Sequence, residues 1–402
     1  MKSVFDPNQA LRNVQDFGEE GGVVPVIDVA ATSTFLDPED MEKTFRGERA
    51  GCYLYSRHQN PTVQAFSKKL AAMENLPSAV GVASGLAAIA CTLDQLLKAG
   101  DHVISSANVY GGTYAFMANI LSKRGVEVSF VDQNNLSEVK KALKPSTKII
   151  YTESMSNPLL SVPDLRQLSA ISKSANTKLI VDNTFTPLIV NPAQYGADVV
   201  IHSATKFLSG ASDMIAGVVA GSTDFINSLL DVNTGSIMLN GPVMDARLAH
   251  ELYLRLDHLP LRMKAHSETA YFFASKMEEA GLRVLYPALK SHPSHDIFKE
   301  IANPEYGAGG VLTLDCQTKE KARVLAKKLQ DERFGLYAVS LGFSRTLMSC
   351  PSLSTSSEIP EEERKKSGMT DSLLRLSVGY TGDKQTMWER FYNCAQSLSL
   401  LK

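Results

Sequence analysis

Residues 202–210 read HSATKFLSG, which places Lys206 just after two hydroxyl residues, Ser203 and Thr205, at the end of the apolar run VVI. A lysine amine that loses its proton is a nucleophile and forms Schiff bases with aldehydes. Two other apolar runs also end in polar groups: LIV leads into Asp182 of VDNTF, and IIY leads to Asn157 of TESMSNP. Asp182 would supply a fixed negative charge. If residues 203–205 stay extended, Ser203 and Thr205 face one side, and two hydroxyl donors facing one way suit a phosphate. In ASGLAAI, Ser84 is a candidate N-cap and Gly85 opens a helix whose free N–H groups and positive dipole end suit the same anion. A phosphate cradle, a carboxylate for a protonated ring nitrogen and a Schiff-base lysine together describe a site for pyridoxal 5'-phosphate. No one of these pieces is specific; their joint occurrence in this order is.

The elements that must position these groups follow from periodicity. HVISSA, VEVSFVD, KIIYTES, KLIVDNT, DVVIHSA and IAGVVAG are strand-length runs rich in Val and Ile, most of them separated by helical or loop segments. SGLAAIACTLDQLLKAG carries Leu86, Ile89, Ala90, Leu93, Leu96 and Leu97 at helical spacing, with Gly100 as its stop. This alternation predicts an α/β fold with a largely parallel sheet covered on both faces, which binds ligands at its strand ends. After a long helical stretch, residues 242–281, the texture changes. GGVLTLDC and LLRLSVGY read as strands, TKEKARVLAKKLQ and KQTMWERFYNCAQSLSLL as helices. The expected division is an arm over 1–60, a large domain over 61–258 and a smaller α/β domain over 259–402.

Composition narrows the class further. The 402 residues are 44% apolar and 21% charged, with a formal charge of −2, so no basic field exists for nucleic acid. No apolar stretch approaches a membrane span, and the N-terminus has no apolar secretory core. Five scattered cysteines without a C-x-x-C pair argue against a disulfide framework and a structural zinc site, and point to the cytoplasm. Cys52 and Cys91 read as apolar filler. HPSH at 292–295 offers two histidines with a proline between them and no third ligand nearby, so no metal is expected. EEERKK at 361–366 reads as a solvated face or lid segment.

The blocks YSRHQNPT, ASGLAAI, VYGGTY, ESMSNPLL, VDNTF, HSATKFLSG, VSLG and LRLSVG, in this order, resemble the Cys/Met-metabolism (trans-sulfuration) family of pyridoxal-phosphate-dependent enzymes. That group includes cystathionine lyases and synthases, methionine γ-lyase and homoserine sulfhydrylases. The resemblance implies fold type I: a mostly parallel seven-stranded sheet sandwiched by helices, plus a smaller C-terminal α/β domain. Lys206 then matches the cofactor lysine, Asp182 the partner of the pyridine nitrogen, and Ser203, Thr205 and the amides of Gly85 and Leu86 the phosphate cup. Tyr110 matches the ring that stacks on the cofactor and exchanges protons with the leaving group. Tyr55 and Arg57 match a pair that reaches the phosphate of the neighbouring subunit. Asn157, Ser340 and Arg375 match the residues that position substrate, with Arg375 gripping the α-carboxylate. A homotetramer, a dimer of dimers, is implied as well.

The resemblance leaves the reaction open. Methionine γ-lyases carry a cysteine two residues after the stacking tyrosine, where this chain has Gly112; YGGT resembles cystathionine γ-lyases and sulfhydrylases. Many γ-acting relatives have a glutamate where this chain has Arg345, and a cation there suits the distal carboxylate of cystathionine. The expected activity is a carbon–sulfur lyase acting on cystathionine or a related substrate by β- or γ-elimination. The alternatives are a γ-replacement enzyme using an activated homoserine, methionine γ-lyase, or a non-catalytic scaffold.

Overall fold

In the computed structural model, which describes residues 5–14, 22–46, 48–49 and 51–401, the Val- and Ile-rich runs form one sheet. Its strands are β1 (Ser78–Val82), β2 (His102–Ser106), β3 (Glu127–Val131), β4 (Thr147–Glu153), β5 (Lys178–Asp182), β6 (Val199–His202) and β7 (Gly217–Gly221). They lie in the order β1-β7-β6-β5-β4-β2-β3. β3, β2, β4, β5 and β6 pair in parallel; β7 runs antiparallel to both β6 and β1. β1 is the strand that periodicity missed, because SAVGV is short, holds a glycine and follows Pro77 closely.

Each strand feeds both faces. Ile149, Tyr151, Ile180, Ile201 and Val219 enter one buried cluster, while Ile150, Leu179, Val181, Val200 and Val218 enter the other. The helix Gly85–Leu96 packs against β6 and β7 and contributes to the first cluster. Pro61–Met73 and the long helix Ala246–Glu279 pack together and contribute to the second. Two-sided burial is why these strands read as continuous apolar runs rather than alternating ones.

The second sheet comprises β8 (Arg283–Leu285), β9 (Val311–Asp315), β10 (Leu336–Tyr337), β11 (Leu347–Ser349) and β12 (Leu373–Ser377), in the order β10-β11-β12-β9-β8. The helices Lys319–Asp331 and Lys384–Gln396 flank it. The expected division at 258/259 falls inside the helix Ala246–Glu279. Within the expected arm, residues 1–4, 15–21, 47 and 50 lie outside the described residues, so its opening stretch is described only in part. Its described portion exposes Val23, Val24, Val26, Ile27, Val29 and Leu36. No described helix is long and apolar enough to cross a membrane, and all five cysteines are free.

A polar cluster sits beneath the strand ends. Glu74, fully buried, accepts from His202 Nε2 at 2.7 Å and from Asn183 Nδ2 at 3.2 Å. His202 ends β6 and Asn183 follows β5, so this carboxyl ties the two site-bearing strands from below. Glu74→Ala would orphan the buried His202 Nε2 at about 1–3 kcal/mol and weaken the hold on the Asn183 amide, which keeps its bond to the Val190 carbonyl. The expected outcome is a clearly lower urea midpoint for Glu74→Ala; an unchanged midpoint would show that water satisfies the orphaned imidazole nitrogen.

Candidate active site

Because β4, β5 and β6 are parallel, their last residues Glu153, Asp182 and His202 share one edge. Beyond β6 the chain does not stay extended, contrary to expectation. Lys206 N–H bonds back to the Ser203 carbonyl at 3.1 Å, so residues 203–206 form a turn and strand alternation cannot orient Ser203 and Thr205. Contacts orient them instead. Ser203 packs directly on the start of the helix Gly85–Leu96: a Cβ on Gly85 would lie 2.6 Å from Ser203 Cβ and 2.8 Å from its Oγ. Thr205 Oγ1 accepts from Ala216 N–H at 3.0 Å and lies 3.2 Å from the Ala216 carbonyl. Ser84 caps the helix by accepting from Ala87 N–H at 3.0 Å, while the amides of Gly85 and Leu86 stand in the first turn, where no intrahelical carbonyl reaches them.

Lys206 Nζ donates to Ser340 Oγ at 2.8 Å. Ser340 adopts φ +87°, an uncommon backbone state for a residue with a Cβ. Two residues on, Gly342 has φ +82°, and a Cβ there would lie 2.7 Å from Phe207 N. Only glycine lets this loop press against the lysine turn, which accounts for the glycine of VSLG. The Ser340 carbonyl accepts from Arg375 Nη2 at 2.9 Å, and Arg375 Nη1 donates to Asn157 Oδ1 at 3.0 Å. Lys206, Ser340, Arg375 and Asn157 are thus one connected group.

Electrostatics define what that group can do. Arg375 is only 2% exposed, its Nε has no partner, and among the described residues no carboxylate pairs with it. Burial pulls its guanidinium down to about 10, still cationic at neutral pH. A buried cation facing neutral groups is a site for an incoming carboxylate. Burial, followed by the Arg375 charge, pulls the Lys206 amine down to about 8, which makes its neutral nucleophilic form accessible.

Asp182 accepts from the Thr184 amide at 3.0 Å and hydroxyl at 2.5 Å, and the same hydroxyl accepts from Ser203 N–H at 2.8 Å. Thr184 therefore links the carboxylate to the turn that begins at Ser203. Although it lies within VDNTF, no residue pattern singled it out. Tyr110 precedes the helix Gly111–Phe116, with its ring 44% exposed and its amide bonded to Glu153 Oε1 at 2.6 Å. Burial, then the charge of Glu358, raises the Tyr110 phenol, so it stays protonated at neutral pH. Glu358 packs on Gly111, where a Cβ would collide with its carboxylate; nothing in the EEERKK-bearing segment foretold this. That run forms the helix Glu361–Lys366, which buries nothing.

Two expected residues stand apart within one chain. Arg57 donates to the Met238 carbonyl at 3.0 Å and lies 5.5 Å from the ring of exposed Tyr55; neither shares a contact with the Lys206 group. Arg345 is exposed.

The donor set fits pyridoxal phosphate, with a close Gly85–Ser203 cradle at a helix start, a buried carboxyl at Asp182 and a deprotonable buried amine. The family model for Cys/Met metabolism PLP-dependent enzymes matches residues 9–384. The chain belongs to this family. A methionine γ-lyase of Arabidopsis thaliana is 42% identical over 393 residues, 96% of this chain and 89% of that protein. A cystathionine γ-lyase of Bacillus subtilis is 36% identical over 364 residues, 90% and 91% of the two chains. Among solved structures, an O-acetylhomoserine (thiol)-lyase assignment from Campylobacter jejuni, carrying a pyridoxyl-lysine-phosphate, superposes with a TM-score of 0.89. It is 27% identical and covers 98% of this chain and 100% of its own. With such relatives along nearly its whole length, this Cys/Met-metabolism enzyme is a pyridoxal-phosphate-dependent lyase.

The lowered Lys206 amine gives a pH signature. Capture of pyridoxal phosphate by the cofactor-stripped enzyme needs the neutral amine, so its rate should rise with pH and level off above about 8. An ordinary lysine would keep rising toward about 10.4. Stopped-flow absorbance reads the profile; a rise continuing past pH 10 would contradict the burial of this amine.

Proposed function

We propose that this family member is a carbon–sulfur lyase that eliminates the sulfur-bearing group of cystathionine or a related sulfur amino acid, releasing ammonia and a keto acid. The observation that carries this is the linkage Lys206–Ser340–Arg375: a deprotonable amine and an unpaired guanidinium joined through one serine. An amino acid presents one amine and one α-carboxylate, and this pair addresses both. When bound, the cofactor supplies an electron sink next to Cα. Asp182 holds the pyridine nitrogen protonated. Ser203, Thr205 and the amides of Gly85 and Leu86 hold the phosphate, and Asn157 and Ser340 orient the substrate. Lys206 takes the Cα proton, and the protonated Tyr110 phenol delivers a proton to the departing thiolate, which leaves with the C–S electron pair.

Two observations bear on the leaving group. A Cβ on Gly112 would lie 2.5 Å from Tyr110 Cε1, so the tyrosine ring fills the space a cysteine would need there. Glu358, which has no cationic partner within ion-pair distance among the described residues, puts a carboxylate beside the phenol. A panel of cystathionine, methionine and O-acyl-homoserines, assayed for ammonia and keto acid with and without added thiol, tests the reading. Release from a thioether without a second thiol is the expected result; product that forms only with added thiol overturns it.

Lys206→Ala should abolish turnover and the borohydride-fixed cofactor link, since among the described residues no other amine bonds Ser340. Asp182→Asn should fold, bind cofactor weakly and lose roughly 10²-fold or more in kcat, as an amide cannot hold the ring nitrogen protonated. A near-normal rate for either variant would remove that residue from the site.

The neighbour-facing role of Tyr55 and Arg57, the homotetramer, the 1–60, 61–258 and 259–402 division and the cytoplasmic compartment belong to the same proposal. Their support is the separation of Arg57 from Lys206 within one chain, the exposed apolar arm, one sheet on each side of the expected division, and five free cysteines. Mixing inactive Lys206→Ala and Arg57→Ala chains should restore part of the activity once subunits exchange, because a heterodimer holds one undamaged site. Proven exchange with no recovery would place Arg57 outside any shared site.

A further inference from the structure

Glu153 is a buried acid that the reaction described above does not use. It ends β4 directly opposite Asp182 on β5, and residues in register on neighbouring strands stand about 4.8 Å apart with side chains on one face. The two side chains are 7% and 8% exposed. The groups facing Glu153 are Asp182 on β5, Tyr151 on its own strand, the amide and phenol of Tyr110, and the amide of Asn157. Among the described residues none of the ion-paired cations reaches it. Its donors are main-chain amides alone, Tyr110 N–H to Oε1 at 2.6 Å and the amide of Asn157. Asp182, by contrast, accepts two bonds from Thr184 and feels the imidazole of His202.

We propose that Glu153 is a positioning residue that works as a neutral carboxylic acid, pegging the Tyr110 main chain while leaving Asp182 as the single anion of the pair. Two buried carboxylates without a cation between them cannot both ionise, and the proton settles on the less well solvated partner. Asp182 has more donors, the Thr184 amide and hydroxyl and the Tyr151 phenol, and the His202 imidazole besides, so it keeps the charge and Glu153 takes the proton. Burial followed by the Asp182 charge pushes the Glu153 carboxyl well up, in the same direction. A protonated acid at this spot still accepts from Tyr110 through its carbonyl oxygen. It fixes the height of the aromatic ring without competing with Asp182 for the pyridine nitrogen. The inference rests on the roles given to Asp182 and Tyr110 under the lyase reading.

The test compares Glu153→Gln, a neutral isostere, with Glu153→Ala. Isotope-edited infrared spectra of the cofactor-free chain with labelled glutamate should show a protonated carboxyl band at neutral pH that Glu153→Gln removes. In the cofactor-loaded enzyme, Glu153→Gln should keep the visible circular dichroism of the bound cofactor and stay within about twofold of the normal kcat. Glu153→Ala should change that dichroism and lower kcat roughly ten- to a hundredfold, as expected for a misplaced reacting group. A band that survives in Glu153→Gln, or a Gln variant as damaged as the Ala variant at equal thermal stability, overturns the proposal. If Glu153→Ala does not fold, the infrared band and the Gln variant still decide. Failure of the lyase reading would show separately, as product that the unmutated enzyme forms only with added thiol.

Discussion

A guanidinium buried without an anion is the constraint around which the rest of the structure is arranged. Arg375 sits mid-strand in β12, and taking such a charge out of water costs several kcal/mol unless its donors are met. The fold meets two of them with neutral acceptors from different places: Asn157, which follows β4 of the first sheet, and the Ser340 carbonyl, between β10 and β11 of the second. A carboxylate on this arginine would stabilise it further but would block the position proposed for the substrate carboxylate. The binding site is therefore a deliberate shortfall in solvation, and the two sheets must stay in register for it to exist.

That shortfall spreads to its neighbours. Ser340 bonds the guanidinium through its carbonyl and Lys206 through its hydroxyl, so a single residue at φ +87° sets the distance between the buried cation and the buried amine. Gly342 permits the close approach, and the positive charge of Arg375 adds to burial in lowering the Lys206 amine. On the other side, Asp182 is held by Thr184, which also fixes Ser203, so the groups proposed for the ring-nitrogen and phosphate ends of the cofactor share one hydroxyl. Misplacing any one of these groups moves several others, the behaviour expected of a hydrogen-bonded network in a low-dielectric interior.

Much of this was legible in the chain itself. The parallel sheet followed from Val- and Ile-rich runs of strand length, because strands covered on both faces need no polar side. Ser84 as N-cap followed from its place before a helical period, Asp182 stood out directly after an apolar run, and Lys206 and Asn157 a few residues beyond two others. These are local facts, fixed by side-chain type and spacing over a few residues, and local facts survive folding. Resemblance added Arg375, Ser340 and Tyr110, which composition and period alone would have left as a strand arginine, a loop serine and a turn aromatic.

What the sequence could not hold was anything that depends on which segments meet. Ser203 and Thr205 seemed to alternate along a strand, but the chain turns after β6, and their orientation comes from Gly85 and Ala216 instead. β1 escaped notice because its stability comes from pairing with β7, far along the chain, rather than from its own five residues. Glu153 and Asp182 are 29 positions apart and become neighbours only through strand register; Glu358 meets Gly111 only through the loop after β11. Charge on a buried group is set by everything around it, so the sequence determined which residues could do chemistry. Only the tertiary structure decided which of them would carry charge, because solvation and proximity are properties of the assembled strand edge.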